Sequence, residues 1–199
     1  MKRIKSAFEI AMEKANQIDD HLTPEEERLV KREQLKPLLA RFYKGEIDAE
    51  GLWQNLKEEQ DCEVLEEAQL LLIDSLGLRT PEEQFKRRKE AILAIETLKE
   101  EQNSSFLEQI LNQVHSLQEK YTRERKRIND LLEKEIKNNS QMRMRPVRTQ
   151  DGKTVMKLES AIDEKTERRF KNSLTELEAR SGEMFNRLLK ELKGIIQNN

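Results

Sequence analysis

The stretch PEEQFKRRKEAILAIETLKEEQNSSFLEQILNQVHSLQEKYTRERKRINDLLEKEIKNN, residues 81–139, decides the fold. After Pro81 it contains no Gly or Pro and carries apolar residues at heptad-like spacing, so it reads as one helix of nearly sixty residues. At about 1.5 Å per residue that helix reaches roughly 85 Å, longer than a domain of this size is wide. Leu107, Ile110, Val114, Leu117, Tyr121, Ile128 and Leu131 follow spacings of three and four, broken by Glu124, which is a coiled-coil seam. Phe85, Ile92 and Ile95 sit in a frame displaced by one position, so the register drifts between Leu98 and Phe106. A change of partner or local unwinding near Asn103-Ser104-Ser105 accommodates that drift.

Downstream, the character changes at Asn138-Asn139-Ser140. Met142 to Gln150 alternates apolar and basic residues at period two, Asp151-Gly152 is a preferred two-residue turn, and Lys153 to Leu158 alternates again. This reads as a β-hairpin over about residues 141–158, with Pro146 confining its strand to an edge or a bulge. From Glu159 the helical period returns with Phe170, Leu174, Leu177, Met184, Leu188 and Ile195, widened by Phe185, Leu189, Leu192 and Ile196. A short connection of this kind makes the last helix run back along the long one and leaves the hairpin at the tip. Phe85 to Leu98 then lie beyond its reach and pack on the N-terminal helices.

Upstream, Ile4, Phe8, Ala11, Met12, Ala15 and Ile18 form an amphipathic stripe over residues 3–20. Thr23-Pro24-Glu25-Glu26 has the chemistry of a capped helix start, Pro37 should kink or split the helix that follows, and Gly45 stops it. Leu70-Leu71-Leu72-Ile73 makes the helix over residues 64–76 the most buried. Gly77 reads as its C-terminal cap, and Thr80-Pro81-Glu82-Glu83 repeats the start signal. The expected fold is mainly α: an N-terminal helical bundle over residues 1–80, then a long antiparallel coiled-coil arm over residues 81–199 with a β-hairpin at its tip.

Composition agrees with narrow seams rather than a thick core, since 35% of the 199 residues are apolar and 38% charged. The formal net charge of -2 hides an asymmetry, with 12 Lys and Arg against 18 Asp and Glu in residues 1–80, and 25 against 21 thereafter. Cys62 is the only cysteine, so no intrachain disulfide forms, and its acidic neighbours disfavour a thiolate. No signal peptide and no apolar run of membrane-spanning length are found, which points to a cytoplasmic chain.

Chemistry is sparse. His21 and His115 lack ligand-spaced companions and read as solvated helix residues, and the carboxylate clusters Glu25-Glu26-Glu27 and Glu58-Glu59-Gln60-Asp61 read as a helix start and a solvated face. Trp53 and Tyr121 read as structural. No catalytic, cofactor-binding or metal-ligating residues are assigned, and the expectation is that the chain is not an enzyme. Residues 137–158 carry six Lys or Arg against the single Asp151, and Met142, Met144 and Met156 add adaptable apolar contacts. The candidate contact residues are therefore Met142, Arg143, Met144, Arg145, Arg148, Lys153, Met156 and Lys157. Their partner is either another protein, a second copy of the chain included, or a nucleic acid or other polyanion.

The long helix, β-hairpin and returning helix of residues 81–199 resemble the prefoldin-like chaperone arrangement in layout. That resemblance implies oligomer assembly through hairpins and capture of nonnative clients by coiled-coil ends, and it transfers no functional residues. The opening Lys5-Ser6-Ala7-Phe8-Glu9-Ile10-Ala11 is similar to the start of uncharacterised bacterial helical proteins, which implies no activity. The functional expectation is a non-catalytic scaffold, adaptor or chaperone-like protein that uses its seam and hairpin tip.

Overall fold

A computed structural model of the chain describes residues 23–58, 61–100, 102–139, 141–149, 151–161 and 164–197, with the backbone alone at 24, 139, 141–147 and 156–161. The amphipathic stripe of residues 3–20 and His21 lie outside the described residues. Among those described, the order is α1 (Pro24–Lys44), α2 (Ala49–Leu56), α3 (Cys62–Asp74), α4 (Glu82–Glu96), α5 (Ser104–Asn139), β1 (Gln141–Arg148), β2 (Thr154–Ala161) and α6 (Glu164–Gln197). The chain is mainly helical.

Local chemistry sets the helix ends. Thr23 Oγ1 accepts the Glu26 N–H at 3.3 Å and the Glu26 carboxylate accepts the Thr23 N–H at 2.8 Å, a complete capping box. The Thr23 N–H, and after it the Thr23 hydroxyl, which donates to the same carboxylate at 2.9 Å, hold the Glu26 carboxyl below its ordinary value. At the other end Gly45 takes φ 81°, and its N–H reaches the carbonyls of Arg41 and Phe42. α1 runs through Pro37 as one helix, so of the kink or split expected there the split does not occur. Leu35, Leu39 and Phe42 bury one face of α1 on both sides of the proline, and that packing outweighs the lost backbone bond.

The second start signal does mark a helix start, but it supplies no side-chain cap. Thr80 Oγ1 accepts the Gly77 N–H at 2.8 Å, closing the connection between α3 and α4, and α4 begins at Glu82, after Pro81 at the N-cap, without a side-chain cap. Gly77 does not take a positive φ and is not a left-handed cap, because α3 already ends at Asp74 with Ser75 in right-handed geometry. The same four-residue pattern thus caps one helix and braces a loop at the other.

Residues 81–139 do not form one helix. α4 ends at Glu96 and α5 begins at Ser104. The last turn of α4 tightens, with Thr97, Leu98 and Lys99 N–H groups reaching carbonyls three residues back. The Glu96 carboxylate, fully buried, accepts the Asn103 N–H at 2.8 Å and Gln69 Nε2–H at 2.9 Å. One side chain therefore ties the connection to α3. The Lys99 ammonium is buried 3.8 Å from Glu96 Oε2 and balances its charge. This break lets α4 and α5 pack on each other rather than continue as a rod.

α6 returns antiparallel along α5. The hydroxyl of Tyr121 meets Glu178 Oε1 at 3.3 Å, and Arg169 meets Glu135 at 4.0 Å. Beyond Phe185 the helix leaves the two-layer region and joins the bundle: Leu192 and Ile196 are fully buried and Lys193 pairs with Asp74 on α3. The buried apolar residues other than Tyr121 and Phe170 form one cluster from Leu35 to Ile196, crossing the junction at residues 80 and 81. Each large side chain buried there contributes about 1.5–3 kcal/mol. α1 is also held by charge, because Glu67 on α3 is buried between Arg28, at 3.0 Å, and Arg32.

β1 and β2 pair antiparallel in continuous register from Gln141 opposite Ala161 to Arg148 opposite Thr154. Among the described residues each strand keeps one side without a neighbour, the place in a ladder that admits Pro146. The turn differs from the two-residue form. Gly152 N–H reaches the Thr149 carbonyl at 2.9 Å and Thr149 N–H reaches the Lys153 carbonyl at 2.8 Å, so Asp151 and Gly152 are the last two positions of a β-turn. Gly152, at φ 75°, is a left-handed bulge that restores the strand twist after the turn.

Candidate functional site

Two adjoining surfaces carry the sequence-derived candidates: the strand pair and the side of the α5/α6 pair that leads to it. Of the eight candidate contact residues, Arg148 and Lys153 are exposed beside the turn, next to an exposed Val155. The side chains of Met142, Arg143, Met144, Arg145, Met156 and Lys157 lie outside the described residues. Their backbone register is fixed, with Arg143 opposite Glu159, Met144 opposite Leu158, Arg145 opposite Lys157 and Pro146 opposite Met156. The ladder thus sets a basic pair beside an apolar one.

The helix pair splits into a closed and an open part. Leu107, Leu111, Val114 and Tyr121 are buried against the bundle and α6. Farther along, Leu131 is 44% exposed, although Phe170 opposite it is buried. A groove of about 710 Å³ between α5 and α6 has Leu117, Met184 and Leu188 among its lining, and a second of about 320 Å³ has Ile128, Leu131 and Phe170. Both are rimmed by charge, with Lys120 and Arg187 on the first and Lys134 and Arg169 on the second.

Where the two parts meet, three elements are tied by polar groups. Arg79 Nε–H donates to the Tyr121 hydroxyl at 3.1 Å, and the Arg79 guanidinium pairs with Glu178 and lies 6.0 Å over the Tyr121 ring. A cavity of about 410 Å³ beside this junction includes His115 and Arg123 in its wall. His115 is not a solvated surface residue as expected: it is half-buried and stacks on Phe85 at 5.3 Å. Trp53 is half-buried and donates from Nε1 to Thr97 Oγ1 at 3.1 Å, which pins α2 to the end of α4.

Burial, and then the charge of Glu66, pushes the Cys62 thiol up, away from the reactive thiolate. Burial likewise raises the Glu66 carboxyl, with Lys99 opposing. Among the described residues no group of three His, Cys, Asp or Glu could hold a metal ion, and no helix is long and apolar enough to cross a membrane.

Sequence reasoning missed the buried Gln69, Glu96 and Lys99 and the Arg79–Tyr121–Glu178 junction. For two of these a signal existed. Gln69 falls on the apolar stripe of Leu65, Ala68 and Leu72, and Glu96 follows Ile92 and Ile95 at helical spacing. A polar residue in such a stripe is either wrong for a core or has a partner there.

Comparison with protein-family models matches residues 50–198 to DUF6657, a family of unknown function. The chain belongs to this family. The DUF6657 match takes in both strands and the whole α5/α6 pair, and it begins inside α2. Comparisons with curated proteins and with solved structures return no significant match.

Proposed function

We propose that this DUF6657 member is a non-catalytic, cytoplasmic scaffold or adaptor, chaperone-like in layout, that engages a protein partner through the α5/α6 pair and the strands. In this reading the helix pair is an antiparallel coiled-coil arm and the strand pair a hairpin contact surface at its tip. One observation carries it: the helix pair is packed on the bundle over one part of its length, yet keeps a groove and Leu131 open where it approaches the strands. An apolar seam left uncovered beside mixed charge suits a protein surface, which excludes water from the apolar floor and meets the rim with charge. Affinity capture comparing the intact chain with one whose residues 141–157 are replaced by a short Gly-Ser loop tests the role of the tip. Loss of captured proteins is expected, and an unchanged set would refute it.

A second reading, binding of nucleic acid or another polyanion, is favoured by Arg148 and Lys153, which are exposed beside the turn and make no ion pair among the described residues. It requires affinity that falls steeply with salt and weakens when Arg143, Arg145 and Arg148 are neutralised. Absence of binding to duplex or single-stranded DNA at low salt would remove it.

A further inference from the structure

Along α5, Phe106, Ile110, Gln113, Leu117, Lys120, Glu124, Arg127, Leu131, Lys134 and Asn138 alternate spacings of four and three. This stripe shares Ile110, Leu117, Glu124 and Leu131 with the core-facing seam and takes the positions just before Leu107, Val114, Tyr121 and Ile128, so it flanks that seam on one side. Six of its members line the open side of the helix pair: Gln113, Lys120 and the largely buried Leu117 border the larger groove, and Leu131, Lys134 and Asn138 border the smaller, while Ile110 is buried in the core. Glu124 and Arg127 lie between the grooves and pair along the helix at 3.4 Å, with the Arg127 side chain 71% exposed. Phe106, at the start of the stripe, is 62% exposed, and Met184 on the α6 side is 44% exposed. The grooves, the exposed apolar side chains and the charges belong to one continuous face.

That face is complementary to itself. A two-fold axis passing between Glu124 and Arg127 sets Glu124 of one copy against Arg127 of the other, twice, because the operation exchanges the two positions. Moving outward, the same axis sets Lys120 against Leu131, Leu117 against Lys134, and Gln113 against Asn138. The central layer is then two ion pairs, the next two layers place lysine stems on leucine, and the outermost matches two amides that can each donate and accept. No like charges meet in these layers. The size also fits: from Gln109 to Asn138 the face runs about 45 Å and is two helices, about 20 Å, across, giving ~900 Å² against the ~800 Å² per partner of a standard stable interface.

We propose that this face is the interface of a two-fold homodimer, in which two α5/α6 pairs pack antiparallel as a four-helix bundle centred on Glu124 and Arg127. A second copy is the occupant because an unrelated partner would not require the stripe to be symmetric about its own ion pair. The proposal rests on the scaffold reading and names the partner for its helix-pair surface.

Sedimentation equilibrium of the full chain over a range of concentrations tests it. The expected result is a mass of two chains, each of 23.6 kDa, dissociating on dilution. Glu124→Arg alone and Arg127→Glu alone each set like charges across the axis twice, and each raises the dissociation constant about tenfold. In an equimolar mixture of the two variants, a chain with arginine at both central positions meets a chain with glutamate at both, and the mass of two chains returns. Unchanged helical circular dichroism in both variants keeps the reading on association. A mass of one chain at every concentration overturns the proposal, as does a dimer indifferent to both reversals or a mixture no tighter than its components. None of these outcomes touches the capture experiment on residues 141–157, so failure of self-pairing is distinguishable from failure of the scaffold reading.

Discussion

The two parts of the α5/α6 pair are built from the same kind of heptad, yet one is core and the other is surface. Leu107 to Tyr121 has a third layer, supplied by α3 and α4 and by the end of α6 that carries Leu192 and Ile196. Among the described residues, Ile128 to Asn138 has only the first half of α6, and a pair of helices leaves its seam half open. The apolar pattern alone is not what buries a residue; the number of elements that converge on it is.

The sharpest way to break this contrast is truncation on each side. Leu192→Ala empties a fully buried site and should lower the free energy of unfolding by about 3–4 kcal/mol, whereas Leu131→Ala, in the monomer, should lower it by less than about 1 kcal/mol. Urea denaturation at low protein concentration measures both. Equal losses would show that the far part is as closed as the near part.

The break between α4 and α5 is the next largest lever. Glu96→Ala removes acceptors for Asn103 and Gln69 and leaves Lys99 buried without its counter-charge, which should cost about 3 kcal/mol. Adding Lys99→Met should return part of that loss, because the uncompensated ammonium is then gone. A smaller effect is expected where the two parts meet. Arg79→Ala loses a half-exposed ion pair and one hydrogen bond, about 1 kcal/mol, and should speed proteolysis near Glu178 more than within the bundle.

The smallest effect belongs to the bundle surface and depends on pH. Lys31, bonded to Asp61 at 2.8 Å, holds the Asp61 carboxyl below its ordinary value, and Lys31 in turn is held above its own. A carboxyl depressed in the folded state adds stability above its unfolded pKa of about 3.9, and that stability disappears as pH falls through the lower folded value. With Asp61 half-exposed, Asp61→Asn should cost only a few tenths of a kcal/mol at pH 7 and nothing near pH 2. Thermal melts at the two pH values check the sign.

Periodicity in the sequence made the helices legible, since an amphipathic stripe needs nothing beyond its own residues. Connections were less legible because they depend on distant partners. The Thr23 and Thr80 signals are the same four residue types, but Thr80 Oγ1 is taken by the Gly77 N–H, a choice that the α3–α4 packing makes. The drift in the apolar frame located the trouble near Asn103, yet the end of α4 at Glu96 depends on Gln69, which is on another helix. Pro37 shows the opposite case, a local breaker overruled by burial of Leu35, Leu39 and Phe42. For the candidate site, the basic and Met-rich segment was visible as composition. The open stripe on α5 was not, because the stripe facing the core has the same period and only packing tells them apart.

Amide hydrogen exchange along α5, read at low and high protein concentration, tests the division most directly. Amides of Leu111 to Tyr121 should exchange only through global unfolding at both concentrations, while those of Ile128 to Asn138 exchange faster in dilute solution and slow as concentration rises. Uniform protection along α5 in dilute solution, or a far part indifferent to concentration, would contradict the account.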